Sequence, residues 1–478
     1  MIAPQNKPSP ADAGMPRRLF IKGVIAASVA TVLSRRQAFA EMKWTDKLKP
    51  AGERVNLACC GIGCQGGTDV MKLYNTGMAN IVALCDVDMG GPQTLEVLKK
   101  FPDVPQFKDF REMLDKMGRE IDAVTVGVPD FSHFPIAMMA MAMGKHIYVE
   151  KPMAHTFQET ELMMRAEKKY KVAAQMGNQG HSGPNYHQFK AWTEAGVIKN
   201  VTKITAFMNG ARRWHGWDVS AWPPAEPIPG TLDWDKWLST AEFHAYNSKY
   251  VQGNWRCWYD FGNGALGDWG AHIMDAPHQF LDLGLPEEIN AVKLDGHSRF
   301  IFPQASTLSF KFPARSQMPP MEIMWYDGVK NLPPLPADFG EAIVDADIPP
   351  PGSGKIEKKQ APGKVIYGEG LTFQGSSHGA PLKIIDSQAK DMTLPAYPKG
   401  SDHYQNFLLA CKGQEKCRSS FDVAGPLSQV LMLGVIAQRL DTKLVFDRAT
   451  KQITNNTAAN QLLAGPPPRQ GWEQYYKL

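Results

Sequence analysis

Three groups of residues in this 478-residue chain have the types and spacing that chemistry requires. The first is Gly61-Ile62-Gly63-Cys64-Gln65-Gly66, set between an apolar run, Val55 to Cys60, and a helical pattern. A second apolar run, Ile81 to Cys85, ends at Asp86, twenty residues after Gly66. That is the order of a dinucleotide-binding βαβ unit. Gly61 lets the chain turn off the strand, Gly63 puts no side chain between backbone and pyrophosphate, and Gly66 lets the helix lie close. The helix start offers N–H groups and partial positive charge to phosphates. A carboxylate at Asp86 accepts ribose hydroxyls and repels a 2′-phosphate, which points to NAD rather than NADP.

The second group is Glu150-Lys151-Pro152. Pro152 holds the residue before it extended and ends strand pairing, so Lys151 falls at the carboxyl end of a parallel strand. The ligand crevice of such sheets lies there. An ammonium in it can hydrogen-bond a reacting hydroxyl and lower its pKa. The third group is Asp268 and His272, four apart on one helix face, with Asp275 three further on. A histidine held by a carboxylate is a natural general base at neutral pH. Asp, His and Asp at this spacing could also ligate an ion, but no fourth ligand is evident and no metal is assigned.

The elements that must position these groups alternate as in a doubly wound parallel sheet. Pro92–Lys100 and Asp109–Lys116 have helical patterns, and Ile121–Val128 is continuously apolar, as in a strand buried on both faces. Pro129 to His133 is a loop, with Ser132 as an N-cap candidate for a helix Phe134–Met143. A strand His146–Val149, a helix Thr156–Tyr170 and a strand Val172–Met176 follow. Asn178-Gln179-Gly180-His181 should line the same crevice. On a helix Pro184–Glu194, Tyr186, His187 and Lys190 are candidates to face substrate. After a strand Val201–Met208 comes Arg212-Arg213-Trp214-His215-Gly216-Trp217, then Trp222, Trp234, Trp237, Trp255, Arg256 and Trp258. Aromatic faces and guanidiniums suit sugar C–H surfaces and hydroxyls, so some of these should line a carbohydrate cleft. Strands near Thr307–Phe312 and Met321–Trp325 precede a Pro- and Gly-rich stretch, so residues from about 313 to 400 read as a long insertion. Asp402 opens a helix to Cys411, Pro426–Leu440 is a helix, and Lys443–Asp447 a strand.

Residues 1–40 have the layout of a twin-arginine signal peptide: Arg17-Arg18 before apolar residues, a run from Gly23 to Leu33, and Ala38-Phe39-Ala40 as cleavage site. The run is too short to span a bilayer, which takes ~20 residues. The expectation is a mature chain starting near Glu41, periplasmic or extracytoplasmic, with no later membrane helix and no stable membrane insertion. Free NAD is scarce there, so the cofactor should stay bound through the cycle. The chain carries 43% hydrophobic and 21% charged residues and a net charge of +4, as in a soluble globular protein of two domains. With no basic block or basic–aromatic interleaving, nucleic acid is excluded as a partner. Of seven cysteines, Cys59, Cys60, Cys64 and Cys85 read as small buried residues, while Cys411 and Cys417 could pair.

The glycine fingerprint, Asp86 and Glu150-Lys151-Pro152 resemble the Gfo/Idh/MocA oxidoreductases. The resemblance implies an α/β fold: an N-terminal Rossmann domain, 41–177, and a C-terminal domain, 178–478, on an open, largely antiparallel mixed sheet. It implies NAD held by Gly61, Ile62, Gly63, Gly66, Asp86, Pro129, Glu150 and Lys151. It also implies catalysis in which His272 takes a hydroxyl proton, Asp268 orients it or binds substrate, and Lys151 polarises the hydroxyl. Asn178, His181, Tyr186, Arg256, Asp268 and His272 are the implied substrate residues. The substrate would be a sugar, glycoside or cyclitol, and the assembly a homodimer or tetramer. The family also contains NAD-dependent glycosidases that oxidise, eliminate, hydrate and reduce again. One such group lacks the lysine that Lys151 supplies here. A non-catalytic NAD-bound sugar-binding protein is a third reading, opposed by the joint presence of Lys151, Asp268 and His272.

Overall fold

The computed structural model describes residues 53–210, 217–315, 318–328, 330–341, 361–385 and 392–478. The signal-peptide reading of 1–40 and the cluster from Arg212 to Gly216 lie outside them.

Continuous apolar runs become strands buried along their length, because helices cover both faces of the sheet they form. These are β1 (Val55–Cys60), β2 (Ala79–Cys85), β4 (Ala123–Val126) and β5 (His146–Glu150), with short β3 (Gln106–Phe107) and β6 (Ala174–Gly177) at the edges. The order is β3-β2-β1-β4-β5-β6, and every pair is parallel. The order reverses between β1 and β4, which opens a crevice at their carboxyl ends. The helix of the glycine fingerprint is Cys64–Asn75. The helix Phe157–Tyr170 starts on a capping box between Thr156 and Glu159. Ser132 stands at the N-cap of helix His133–Ala142, but its side chain makes no capping bond. A short 3₁₀ turn, Asp130–Ser132, leads into that helix instead.

Among the described residues, the second sheet has nine strands. They are β7 (Lys203–Met208), β8 (Glu288–Asp295), β9 (Ala305–Phe312), β10 (Met321–Gly328), β11 (Gly363–Tyr367), β12 (Thr372–Ser376), β13 (Lys383–Ile384), β14 (Lys443–Asp447) and β15 (Gln452–Ile453). Their order is β13-β12-β11-β7-β10-β9-β8-β14-β15. Only β7 and β10 run parallel; the other neighbours are antiparallel. The fold is therefore α/β, a Rossmann sheet joined to an open mixed sheet.

Four readings change. Beyond β10, expected near Met321–Trp325, the stretch from 313 to 400 also supplies β11 to β13, and β11 pairs directly with β7. Its short strands carry Gly363 and Gly375, which blur the alternating pattern. Gly363 has no room for a side chain, since a Cβ would lie 2.6 Å from the Gly375 carbonyl. Second, the helix Phe421–Leu440, 20 residues at mean hydropathy 1.3, is long and apolar enough to cross a membrane by length and composition. It is a core helix with 78% of its window buried in the protein, packed on helices Phe157–Tyr170 and Gly264–Ile273. Third, a helix from far beyond residue 177 packs on the first sheet. Phe407 and Leu408, on the helix His403–Cys411, are buried in the cluster of Leu57, Leu84 and Tyr148 from the first sheet. Fourth, Cys59, Cys60 and Cys85 are buried but Cys64 is exposed, because Gly66, Gly67, Val70 and Leu73 form the inward face of its helix. Cys411 and Cys417 are separate thiols.

Candidate active site

The glycine loop is shaped by what cannot fit. A Cβ on Gly66 would lie 2.0 Å from the Gly61 carbonyl oxygen, and one on Gly61 (φ +75°) 2.7 Å from Gly127. Helix and strand ends thus meet backbone to backbone. Gly63 is different: a Cβ there would meet only the Thr94 hydroxyl, at 3.1 Å. Gly63 is also the N-cap and offers no capping side chain, which leaves the first-turn N–H groups for an anion. Buried Ile62 donates its N–H to Asp86 at 2.9 Å, and Asp88 N–H donates to the other carboxylate oxygen at 3.0 Å. Burial raises the Asp86 pKa, and those two N–H groups oppose the rise. These residues fit a dinucleotide: an unobstructed cradle for phosphates and a carboxylate beside it for ribose. Pro129 follows β4 at the same sheet end. His133 ties that loop to the lysine loop, with ring nitrogens 2.8 Å from the Val128 carbonyl and 2.9 Å from that of Pro152.

Lys151 follows β5, and its peptide bond to Pro152 is cis. Its ammonium reaches 117 residues along the chain to Asp268 Oδ1 at 2.5 Å. Asp268 also faces the Arg256 guanidinium at 3.5 Å, and that guanidinium lies over the Trp255 ring. Behind the cations sits Asp130, whose Oδ2 accepts the Asn263 backbone N–H at 3.1 Å and its amide at 3.2 Å. This locks the turn into helix Gly264–Ile273. Burial pushes the Asp130 pKa up to about 7, against the pull of Arg256. Glu150 is buried: it accepts from Gln179 at 2.7 Å and shares a hydrogen bond with Asp69 on the glycine-loop helix. Burial raises the pKa of both carboxyls.

His272 is nearly buried, and its Nδ1 has no hydrogen-bond partner among the described residues. Burial, then the neighbouring His378 and the Lys151 charge, lower its pKa well below the ordinary value, so the ring is neutral at physiological pH. Asn178, at the end of β6, accepts from Ser419 at 2.6 Å, while its buried Nδ2 has no partner among the described residues.

Not every expected residue is available to a substrate. The helix of Asp268 and His272 ends at Ile273, and Asp275 begins a second one, Asp275–Phe280. Asp275 therefore leaves their face and pairs with His181 Nδ1 at 2.8 Å. The other His181 nitrogen faces the Arg418 carbonyl at 3.0 Å, so this ring is a buried strut with both nitrogens used. Tyr186 packs on it, ring centres 4.8 Å apart. Lys190 is an exposed partner of Glu194, and His187 flanks Tyr186. Trp234, Trp237, Trp255 and Trp258 form a core with Phe131, Tyr250 and Phe261 rather than a sugar cleft. Trp234 and Trp237 stack on each other at 4.6 Å. The spacing of the tryptophans carried no sign that they would satisfy one another.

His378 was not legible as a site residue. It lies just after β12, in Gly375-Ser376-Ser377-His378-Gly379, a sequence that reads as a turn. The loop is brought in by close backbone contact: a Cβ on Gly180 would lie 2.9 Å from the His378 carbonyl carbon. Asn185 N–H also donates to the Gly379 carbonyl at 2.8 Å. The His378 ring then stacks on His272, centres 4.0 Å apart and planes at 19°.

A parallel nucleotide-binding sheet and an open mixed sheet, with the lysine that follows β5 of the first ion-paired to an aspartate on helix Gly264–Ile273, define a class of two-domain oxidoreductase folds. A family described as an oxidoreductase family with an NAD-binding Rossmann fold matches residues 55–178. Its C-terminal alpha/beta domain matches residues 185–298. The chain belongs to the Gfo/Idh/MocA oxidoreductase family. A glycosyl hydrolase family 109 protein of Shewanella amazonensis is 31% identical over 164 residues, 31% of this chain and 35% of that protein. The inositol 2-dehydrogenase of Salmonella typhimurium is 26% identical over 141 residues, 29% of this chain and 41% of the enzyme. The matches thus span well under half the length of these curated relatives. Among solved structures, the WlbA dehydrogenase of Bordetella pertussis, in complex with NADH and UDP-GlcNAcA, has a TM-score of 0.56 at 15% identity. That match covers 82% of this chain and 99% of the other. A levoglucosan dehydrogenase complexed with NADH and L-sorbose has a TM-score of 0.55 at 15% identity, covering 82% and 98%. At these identities the likeness is one of fold.

Proposed function

We propose that this protein is an NAD-dependent oxidoreductase acting on a secondary hydroxyl of a sugar, glycoside or cyclitol. The observation that carries the reading is the Lys151–Asp268 pair, 2.5 Å apart, its aspartate on the helix that carries the buried His272. The pair sits at the carboxyl end of a strand whose neighbours form a dinucleotide cradle. Lys151 donates a hydrogen bond to the reacting hydroxyl and stabilises negative charge on its oxygen. His272, neutral, takes the hydroxyl proton as general base. Asp268 and Arg256 position the substrate and Lys151, and Asn178, whose buried amide has no partner among the described residues, is assigned to substrate as well. Bound NAD supplies a nicotinamide ring that accepts the hydride leaving the carbinol carbon, so the alcohol loses two electrons and the ring gains them. The Asp86 carboxylate favours NAD over NADP by repelling a 2′-phosphate.

Export by the twin-arginine route, location outside the cytoplasm and a cofactor retained through turnover belong to the same proposal; Arg17-Arg18 and Ala38-Phe39-Ala40 support them. A homo-oligomer is proposed as well, paired through the open sheet, where Met324 and Tyr326 of central β10 stay half-exposed. A second reading, an NAD-dependent glycosidase working by transient oxidation, is favoured by the family 109 relative. Both are tested by purifying the full chain without added cofactor and adding a panel of sugars, glycosides and inositols. Absorbance of reduced nicotinamide with a keto product supports the dehydrogenase. Release of free sugar without net reduction supports the glycosidase. No bound nucleotide, and none taken up, would sink both.

A further inference from the structure

The ring that lies against His272 has no part in the reading above, yet its placement is specific. His378 and His272 are both nearly buried, stacked almost parallel at 4.0 Å. His378 Nδ1 is 2.8 Å from the Ser377 hydroxyl, and Trp269 stands edge-on to the ring at 5.8 Å. The loop is seated by Gly180, Gly183 and Gly379, which meet backbone to backbone, so the stack is built from two distant segments. We propose that His378 is a positioning residue for the base His272: it fixes the plane of that ring by stacking and restricts the two-ring unit to a single proton.

The inference rests on the dehydrogenase reading, which makes His272 the base. Two imidazolium rings at van der Waals distance, away from water, repel strongly. The other charged or titratable groups acting on His272 are Lys151, Asp268 and His403. Lys151 and His403 disfavour a proton there and Asp268 favours it. His378 adds to the first pair. Taking its positive form away removes one repulsion, so His272 then holds its proton to higher pH. Because the base must be unprotonated, the acid limb of the kcat/KM profile moves to higher pH.

The test uses the full chain carrying His378→Phe, which keeps a flat ring without a charge, and His378→Gln, which keeps neither. Both should move the acid limb up by about half a unit or more. His378→Gln should also lower kcat by about tenfold with KM little changed, and His378→Phe should restore most of that loss. Superimposed profiles for all three proteins would overturn the proposal. So would equal kcat losses in both variants with no limb shift, which mark mere packing. In parallel, the His272 imidazole nitrogens are titrated by NMR in the wild type and His378→Phe, which needs no turnover. If no compound is oxidised, the dehydrogenase reading falls, and the titration still decides on the stack: identical His272 titrations overturn it, and a higher midpoint in the variant upholds it.

Discussion

At the scale of single residues, the site is a balance of charge in a dry place. Lys151 and Arg256 both face Asp268, at 2.5 and 3.5 Å, so one carboxylate answers two cations. Removing Lys151 leaves that carboxylate a partner, and the fold should survive. We expect Lys151→Ala and Lys151→Met to unfold within a few degrees of the wild type and to bind sugar, but to lose turnover by about 10²–10⁴-fold. Steady-state kinetics beside a calorimetric binding measurement checks this; retained turnover would remove Lys151 from the chemistry. The sequence pointed to Lys151, Asp268 and His272 because each carries a local sign: a proline after a strand, or a four-residue step on a helix. It overreached at His181 and Asp275, whose mutual hydrogen bond spans 94 residues and leaves no trace in either neighbourhood.

At the scale of elements, the glycine loop separates two jobs that the fingerprint merges. Gly66 serves packing, since its Cβ would collide with backbone at 2.0 Å; Gly63 serves the ligand, since its Cβ would meet only a hydroxyl that can rotate. Gly66→Ala should cost at least about 1–3 kcal/mol, because neither backbone segment can give way. Gly63→Ala should fold like the wild type, its φ of −93° being open to any residue, yet bind NAD at least about tenfold more weakly, having lost the close backbone approach. Thermal unfolding with and without nucleotide distinguishes them. Equal melting losses in both variants would contradict the division. Here the elements were read nearly to the residue, Pro92–Lys100 and Pro184–Glu194 among them. Their capping and periodicity are written within one stretch of chain.

At the scale of the whole molecule, the two sheets follow one another in the chain, but later segments return to pack on the first. The helix His403–Cys411 returns to the first sheet, where Phe407 is wholly buried with its ring centre 5.5 Å from that of Tyr148. The last residues return too: Trp472 and Tyr475 pack on Phe110, and Tyr476 on Phe134. Phe407→Ala should cost about 3–5 kcal/mol and lower the denaturation midpoint, with NAD binding and the second sheet's signals lost together. Loss of the second sheet alone, with NAD still bound, would show that the halves unfold separately. The segment between 217 and 261 adds a second tie. Asp233 N–H donates to the Val87 carbonyl at 2.9 Å, and Lys108 reaches the Thr231 carbonyl at 3.1 Å.

What the sequence determined by itself is the set of local patterns: the parallel sheet with its glycine loop and acid, the lysine at a strand end, and the helix carrying Asp268 and His272. Each depends on residues within a turn or a strand of one another, where periodicity and backbone preference act. Only the tertiary structure decided which charges meet and which rings stack. The Lys151–Asp268 pair, the His272–His378 stack, the tryptophan core and the strands between 363 and 384 arise from contacts between segments far apart in the chain. Such contacts are fixed by shape and burial, and neither is encoded in the spacing of neighbours.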